Sequence, residues 1–430
     1  MPSKRPRRNG LLAISPLFVM ALAFIVFSLL LGDFSKIPLI IVFILTSTYA
    51  LVTTRGGTMT ERIQLFSKGA GEPNLLLMVW IFVMAGAFAA SAKAMGAVDA
   101  TVDLTLYLLP HEMLLAGIFV AACFISMSIG TSVGTIVALV PVAAGLADKT
   151  GIAVPLLVAS AVGGAFFGDN LSFISDTTIV ATRSQGCEMK DKFRVNVRIV
   201  LPAAVLTFLV YVVLGQGNTQ PIEIADISLL KVMPYIVVML TAIMGMDVML
   251  VLFLGVVLTG VVGMATGTYA LADWLGAMTE GAASMSELIL ISMMAGGLLE
   301  LIRHNGGITY FIHVLTRRVH SKVGAELSIG LLVSLTNLCT ANNTVAILSV
   351  GRISRDISEK YGVDKCKSAS ILDTFSCGVQ GLIPYGAQIL MASGIAAISP
   401  LEIIPYLFYP MAMLACAVLA ILLRYPRKYS

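Results

Sequence analysis

The stretch GDNLSFISDTT, residues 168–178, places carboxylates, an amide and hydroxyls directly after the apolar run IAVPLLVASAVGGAFF. Asp169 and Asn170 come first. A charged carboxylate at the centre of a membrane span costs roughly 2.5–3.5 kcal/mol on insertion scales. Asp169 must therefore bind a cation, bind a proton or pair with another group. Carboxylate, carbonyl and hydroxyl oxygens suit hard cations such as Na⁺.

Asp176, later in the same stretch, has two interpretations. Ser175 or Asp176 caps a helix that resumes at Thr177, where the positive end of the helix dipole would stabilise the carboxylate. Alternatively, Asp176 contacts the ion. The sequence leaves both open.

A second stretch, SASILDTFSCGVQG, residues 368–381, carries Asp373. Asp373 lies six residues after Lys367, about 9 Å of helix rise inside the predicted boundary, so a snorkelling Lys367 could neutralise it. Gln380 follows seven residues after Asp373 and falls on the same helix face. This polar stripe favours a functional role for Asp373.

Two further apolar segments, 111–147 and 324–357, are each interrupted in the middle by a polar tip. Their arms of about 14–17 residues are short for a full crossing, so we predict two re-entrant hairpins, with pairs of full spans as the alternative. Small polar residues also serve helix packing in membranes, but two consecutive asparagines favour a binding role. The tip residues assigned to the site are Thr131, Ser132, Thr135, Thr340, Asn342, Asn343 and Thr344.

These polar positions interrupt a chain that is 58% hydrophobic and 12% charged, with a mean hydropathy of +0.93. Soluble domains carry about 25% charged residues. We therefore predict an all-α polytopic membrane protein with about ten spans. The six cysteines are scattered without a C-x-x-C motif and are interpreted as filler in apolar helices. The predicted spans are 11–32, 36–53, 74–92, 152–182, 197–214, 228–246, 248–266, 288–303, 366–394 and 403–423.

Basic residues predict the orientation. With the N-terminus inside, all Lys and Arg residues fall in inner connections except Lys36, Lys93, Lys149 and Lys231. This distribution follows the positive-inside rule. We predict a multi-pass protein of the cell (inner) membrane with both termini cytoplasmic.

The chain also contains a weak internal repeat. ISMSIGTSVGTIVALV (125–140) aligns with VSLTNLCTANNTVAIL (333–348), and Asp169 aligns with Gln380. The charge map makes the two halves antiparallel, and inverted repeats with paired discontinuous helices are typical of transporters with a midplane site. The predicted divisions are a first repeat 1–214 with broken helix 152–182, an external linker 215–226, a second repeat 227–424 with broken helix 366–394, and a cytoplasmic tail 425–430.

The segment GDNLSFISDTTIVATRSQGCEMKDKFRVN resembles the signature of the NhaC-type sodium/proton antiporter family, and LDTFSCGVQGLIPYGAQILMASG is similar to its second-half motif. The resemblance covers about 160–200 and 367–395. That family belongs to the ion transporter superfamily, whose members carry two inverted repeats with hairpins and broken helices. The resemblance implies site roles for Asp169, Asn170, Ser172, Asp176, Thr177, Asp373, Gln380 and Gln388. We predict that Asp169, Asn170 and Asp373 hold Na⁺.

One position departs from the family pattern. The family commonly has proline after GDNLS, where this chain has Phe173, although the matching second-half position holds Pro384. An aromatic side chain at a helix break can line a cavity for an organic substrate, and some relatives exchange organic acids or amino acids. The alternative is that Phe173 only packs.

We therefore predict a secondary active transporter that exchanges Na⁺ for H⁺ by alternating access, with Asp169 as the main exchange carboxylate and Asp373 assisting. The alternative is a Na⁺- or H⁺-coupled transporter or exchanger of an amino acid or carboxylic acid. An enzyme is not expected, because the sequence shows no catalytic His/Cys cluster or phosphate loop. We expect no cofactor, Na⁺ and H⁺ as ions, the lipid bilayer as partner and no nucleic acid. A homodimer is left open.

Overall fold

The computed structural model describes residues 10–32, 36–173, 175–216, 228–316 and 319–429, and within these ranges the regular structure is entirely helical. The basic N-terminal segment, residues 217–226 of the predicted linker and the last residue of the predicted tail lie outside them. The helices of the first half are α1 (Gly10–Leu31), α2 (Leu39–Thr53), α3 (Met59–Ala70), α4 (Pro73–Met95), α5 (Ala97–Leu108), α6 (Leu114–Ile129), α7 (Ser132–Thr150), α8 (Val154–Leu171), α9 (Asp176–Gln185) and α10 (Met189–Gly215).

The second half of the chain is also helical in the described ranges. Among the described residues, short 3₁₀ turns lie at His111–Met113, Ile404–Tyr406 and Arg427–Tyr429. The second-half helices are α11 (Leu229–Ile243), α12 (Val248–Ala265), α13 (Leu271–Ser284), α14 (Ser286–His304), α15 (Gly307–Thr316), α16 (Lys322–Thr340), α17 (Asn343–Tyr361), α18 (Lys365–Gln380), α19 (Ala387–Ala396), α20 (Pro400–Ile403) and α21 (Phe408–Leu422).

The structure confirms an all-helical membrane protein. In the described ranges, nine helical segments are long and apolar enough to cross a bilayer, or ten if a bent pair near α19 counts as one span. The set differs in detail from the predicted one. Both arms of the first hairpin qualify, at 19 residues each, whereas α2, α11 and α21 are shorter, at 15 residues each. The re-entrant course of the hairpins stays a prediction.

Three helices, α3, α5 and α13, lie in segments that the sequence analysis treated as connections. Their 12 to 14 residues fall below the length of a span, which is why hydropathy did not reveal them. A local signal did mark α3. The Thr58 hydroxyl accepts from the Glu61 amide at 3.3 Å, and the Glu61 carboxylate accepts from the Thr58 amide at 2.6 Å, forming a capping box.

Equivalent helices of the two halves make equivalent pairings. Helix α6 packs on α8 as α16 packs on α18, and α7 packs on α19 as α17 packs on α9. Likewise α3 packs on α14 as α13 packs on α4, and α10 packs on α18 as α21 packs on α8. These contacts agree with the predicted repeat. The opposite membrane orientation of the halves stays a prediction.

Two glycine crossings hold the α3–α14 and α4–α13 pairs at close range. A Cβ at Gly281 would lie 2.2 Å from the Gly86 carbonyl oxygen, and a Cβ at Gly69 would lie 2.4 Å from that of Gly296. Small residues let membrane helices approach until their backbones touch. Each crossing joins one helix of the first half to one helix of the second, and α3 and α4 correspond in order to α13 and α14.

Each hairpin is tied to the broken helix that follows it. Ser126 donates to the Ala165 carbonyl at 2.6 Å, and Asn337 donates to the Ser376 carbonyl at 2.8 Å, 211 positions further on in each case. At the ends of α6 and α16, the Met127 and Leu338 carbonyls accept from the side chains of Ser172 and Tyr385, at 2.8 and 2.6 Å. These bonds satisfy exposed helix ends and bring each polar tip to a helix break.

The interpretation of all six cysteines as apolar filler is wrong for two of them. Cys187 and Cys366 form a disulfide with a Cα–Cα distance of 5.3 Å, joining the end of α9 to the start of α18. Their separation of 179 residues offers no spacing signal, so only the packing of the two broken helices reveals the pair. Cys123, Cys339, Cys377 and Cys416 are free thiols.

The α4–α13 crossing can be tested with Gly281→Ala. The added methyl group would meet the Gly86 carbonyl, and overpacking of this kind costs about 1–3 kcal/mol, so thermal unfolding in detergent should shift to lower temperature. Gly276→Ala is the matched control, because nothing in the described structure lies within 4 Å of its Cβ position. Equal unfolding temperatures for the two variants would contradict the close crossing.

Candidate functional site

Two helix breaks face each other at the centre of the molecule. Helix α8 ends at Leu171 and α9 begins at Asp176, while α18 ends at Gln380 and α19 begins at Ala387. The last carbonyls of α8 are satisfied by side chains rather than by a continuing helix: Thr177 donates to the Asp169 carbonyl at 3.2 Å. The breaks thus place backbone oxygens and polar side chains among buried helices, as transporter sites require.

Asp169 occupies the centre of this arrangement and is 6% exposed. Its Oδ1 accepts from Ser175 at 2.7 Å, and its Oδ2 accepts from Ser132 at 2.9 Å and from Asn343 at 3.3 Å. Ser132 and Asn343 begin α7 and α17, so the tips of both hairpins meet at one carboxylate. Within the described ranges no cationic side chain forms an ion pair with Asp169.

Asp373 is also fully buried, but it is neutralised. The Lys192 ammonium, 1% exposed, donates to Asp373 Oδ2 in a short ion pair, and Thr178 donates to the same oxygen at 3.1 Å. The expectation that Lys367 could serve this role is wrong. Lys367 lies on the side of α18 that faces α21, where it donates to the Tyr425 carbonyl and, at 3.5 Å, to that of Ala420.

Asn196 connects the first broken helix to the second. Its Nδ2 donates to Asn170 Oδ1 at 2.7 Å, and its Oδ1 accepts from Ser370 at 2.7 Å and from Thr374 at 2.8 Å. The sequence analysis missed both Lys192 and Asn196. Their spacing of four residues puts them on one face of α10, which was the available signal. The predicted start of that span, residue 197, excluded them.

A chain of amides joins the second break to the first hairpin. Gln380 donates to Gln388 Oε1 at 2.9 Å and to the Ala341 carbonyl at 2.9 Å, and Gln388 donates to Ser132 at 3.1 Å. Because Ser132 donates to Asp169, the chain ends on the central carboxylate. One contiguous network therefore includes Asp169, Asn170, Ser132, Thr177, Asn343, Asp373, Gln380 and Gln388.

The remaining residues predicted from the first half lie around this network. Asp176 is exposed at the first position of α9, and Ser175, the residue before it, turns its hydroxyl to Asp169. Phe173 is 46% exposed and stacks on Phe193 with ring centroids 4.7 Å apart. Ser172 donates to the end of α6, and Thr135 donates to the Thr131 carbonyl at 3.1 Å, within the first tip.

The second tip is organised by its own side chains. Asn342 caps α17, since its Oδ1 accepts from the Val345 amide at 3.0 Å. Thr340 donates to the Asn342 carbonyl at 3.0 Å. Thr344 is half-buried in the first turn of α17. These bonds shape the loop that presents Asn343 to Asp169.

The groups around Asp169 are hydroxyls and an amide. No cluster of three or more His, Cys, Asp or Glu side chains that could hold a metal occurs in the part of the chain that the structure describes. Two buried acceptors near the second tip, Asn337 Oδ1 and Gln380 Oε1, have no hydrogen-bond partner among the described residues. Such oxygens, with one carboxylate, are ligands of the type that Na⁺ accepts.

A cavity of about 200 Å³ runs from the second hairpin tip toward one surface. Thr340, Ala341 and Asn342 line its inner end, next to the residue that binds Asp169. Glu72, Glu300 and Arg303 line its outer end, with other cavity walls from α4 and α14. The cavity therefore lies beside the second tip, next in sequence to Asn343, which binds Asp169.

The model of the Na⁺/H⁺ antiporter family matches residues 11–216 and 217–426. The chain is 21% identical to a malate-2H⁺/Na⁺-lactate antiporter of Bacillus subtilis (strain 168), over 81% of each chain. It is 22% identical to the Na⁺/H⁺ antiporter NhaC of Alkalihalophilus pseudofirmus, over 77% of this chain and 78% of the relative. It is 24% identical to the arginine/ornithine antiporter ArcD of Halobacterium salinarum, over 69% of each.

Among solved structures, the YdaH transporter of Alcanivorax borkumensis is similar at 13% identity with a TM-score of 0.42. The match covers 91% of this chain and 97% of that one.

The role of Asn196 in the network can be tested with Asn196→Ala. The change removes the partners of Ser370, Thr374 and the Asn170 side chain, and each buried unsatisfied group costs about 1–3 kcal/mol. Thermal unfolding in detergent should therefore shift to clearly lower temperature. Asn74→Ala, which removes an exposed bond to Glu72, is the matched control. Similar shifts for both variants would show that the buried network adds little stability.

Proposed function

This chain belongs to the Na⁺/H⁺ antiporter family, and on that premise we propose that it exchanges Na⁺ for H⁺ across the cell membrane by alternating access. The proposal rests on the burial of Asp169 and on the kind of groups that donate hydrogen bonds to it. This carboxylate is buried, and within the described residues its hydrogen-bond donors are neutral: two hydroxyls and an amide.

A buried carboxylate without a cationic partner needs a counter-charge or a proton. Na⁺ would bind the ionised form, with hydroxyl oxygens of Ser132 and Ser175 close by, whereas H⁺ would occupy a carboxylate oxygen. The two ligands compete for one group, so Asp169 can carry one or the other. Competition of this kind is the minimum requirement for exchange.

Binding of Na⁺ or H⁺ to Asp169 would change the contacts that the two hairpin tips make. Ser132 and Asn343 both donate to Asp169 Oδ2, and both begin a hairpin's second helix. Protonation of Oδ2 would turn that oxygen into a hydrogen-bond donor, so its bonds from Ser132 and Asn343 would have to rearrange. The two tips would then rearrange around Asp169. In this proposal Asp373 assists by holding Lys192 and the α9–α18 contact rather than by exchanging a proton itself.

A second function, coupled exchange of a small organic acid or amino acid, is favoured by the cavity beside the second tip. Its volume of about 200 Å³ is below the roughly 300–1,000 Å³ of pockets for drug-sized ligands, so it suits a solute of few heavy atoms. Two similar proteins bear names that include such solutes.

Asp169→Asn tests the proposed site. Purified protein in liposomes with an internal pH dye should move protons when a Na⁺ gradient is imposed, and the variant should lose this response, because an amide can neither bind H⁺ nor balance Na⁺. Asp191→Asn is the matched control, since Asp191 forms an exposed pair with Arg194 on α10. Full Na⁺-driven proton movement in Asp169→Asn would refute the assignment.

The same liposomes separate the two functions. If Na⁺/H⁺ exchange is the function, wild-type protein should move protons without any added organic solute. Malate, lactate, arginine and ornithine, added one at a time, should then leave the initial rate unchanged. A proton signal that begins only after one of these solutes is added would reject Na⁺/H⁺ exchange in favour of the coupled carrier.

A further inference from the structure

The ammonium group of Lys192 sits where a metal cation could sit. It is 1% exposed and donates to the Asn170 carbonyl at 2.6 Å, to the Thr178 hydroxyl at 3.0 Å and to the Asp373 carboxylate. Carbonyl, hydroxyl and carboxylate oxygens are the ligands of a hard cation. Asn170 and Thr178 lie on the two sides of the break between α8 and α9, and Asp373 lies in the middle of α18, the first part of the other broken helix. Transporters bind coupling ions at discontinuous helices of this kind.

The network thus contains two buried carboxylates and one buried fixed positive charge. Cys377 lies between the carboxylates: its Sγ is 3.5 Å from Asp373 Oδ1 and 3.7 Å from Asn343 Nδ2, which in turn donates to Asp169. With Lys192 in place, the formal charge of the group is −1. One cation on Asp169 therefore neutralises the site, and a second would leave it positive in a low-dielectric interior.

The repeat provides no third carboxylate. The position equivalent to Asp169 is Gln380, and the one equivalent to Asp373, 211 residues earlier, is Val162. The three oxygens around Lys192, which we call the oxygen cage, come from Asn170, Thr178 and Asp373. The repeat therefore does not produce a second cage of the same composition. What fills the oxygen cage decides how many free cations the network can hold.

We propose that Lys192 is a tethered cation that fills a second cation site formed by Asn170, Thr178 and Asp373, and so limits the protein to one Na⁺ per cycle. This inference rests on the proposed Na⁺/H⁺ exchange and adds a specificity-determining residue to it. Removing the ammonium group while retaining the carboxylate would open the cage to a second Na⁺.

The test is equilibrium binding of ²²Na⁺ to the full-length protein in detergent, at alkaline pH so that free carboxylates are ionised. Wild-type protein should bind one Na⁺. Lys192→Met, whose unbranched side chain is one atom shorter and carries no charge, should bind two. Lys192→Met combined with Asp373→Asn should return to one. Lys190→Met, an exposed lysine on the same helix, is the matched control and should bind one.

A second comparison removes the carboxylate of the pair instead of the ammonium group. Asp373→Asn alone leaves the Lys192 charge uncompensated close to Asp169, and Na⁺ affinity should fall by about tenfold or more. The double variant, which removes both charges, should recover most of that affinity. Equal affinities for the single and double variants would overturn the proposal, since a merely structural pair would not produce charge-dependent recovery.

The outcomes separate the two levels of inference. If wild-type protein binds no Na⁺, the proposed exchange function fails. If wild-type protein and Lys192→Met both bind one Na⁺, exchange stands and the tethered-cation proposal is wrong. If Lys192→Met binds two and the double variant binds one, Lys192 occupies a cation site.

Discussion

A buried carboxylate in a membrane protein must be neutralised, and this chain solves the problem in two ways within one network. Asp373 has a permanent partner, the Lys192 ammonium. Asp169 has hydroxyl and amide donors from both hairpin tips and, among the described residues, no ion pair. The two acids therefore differ in their surroundings: Asp373 is paired with Lys192, and Asp169 is the carboxylate that we propose binds the mobile ion.

The packing of the helices places the hairpin tips and the helix breaks around these two carboxylates. Glycine crossings at Gly86–Gly281 and Gly69–Gly296 bring α4 against α13 and α3 against α14. Hydrogen bonds between each hairpin and its following broken helix set the tips at the helix breaks. Because Ser132 and Asn343 share one oxygen of Asp169, a change in that carboxylate reaches both halves at once. An exchange site needs that coupling between occupancy and conformation.

Sequence patterns were sufficient to predict where polar residues interrupt the helices. Asp169, both polar tips and both helix breaks were predicted because an isolated polar group within an apolar run is costly and therefore conspicuous. Hydropathy did not reveal α3, α5 and α13, which are too short to span. Lys192 was hidden among the basic residues of a connection predicted to be cytoplasmic, since charge counting assigns every lysine to solvent. The Cys187–Cys366 bond was equally hidden, because its partners are 179 residues apart.

The sequence by itself determined that this is an all-helical membrane protein with polar interruptions in matching places, because hydropathy and the cost of buried charge are properties of local segments. Only the tertiary structure decided which acid is paired. That choice depends on which face of α18 meets α10 and which meets α21, so Asp373 contacts Lys192 while Lys367 reaches the end of α21. Either lysine is long enough to reach a buried carboxylate, so the packing of the helices determines which of them pairs with Asp373.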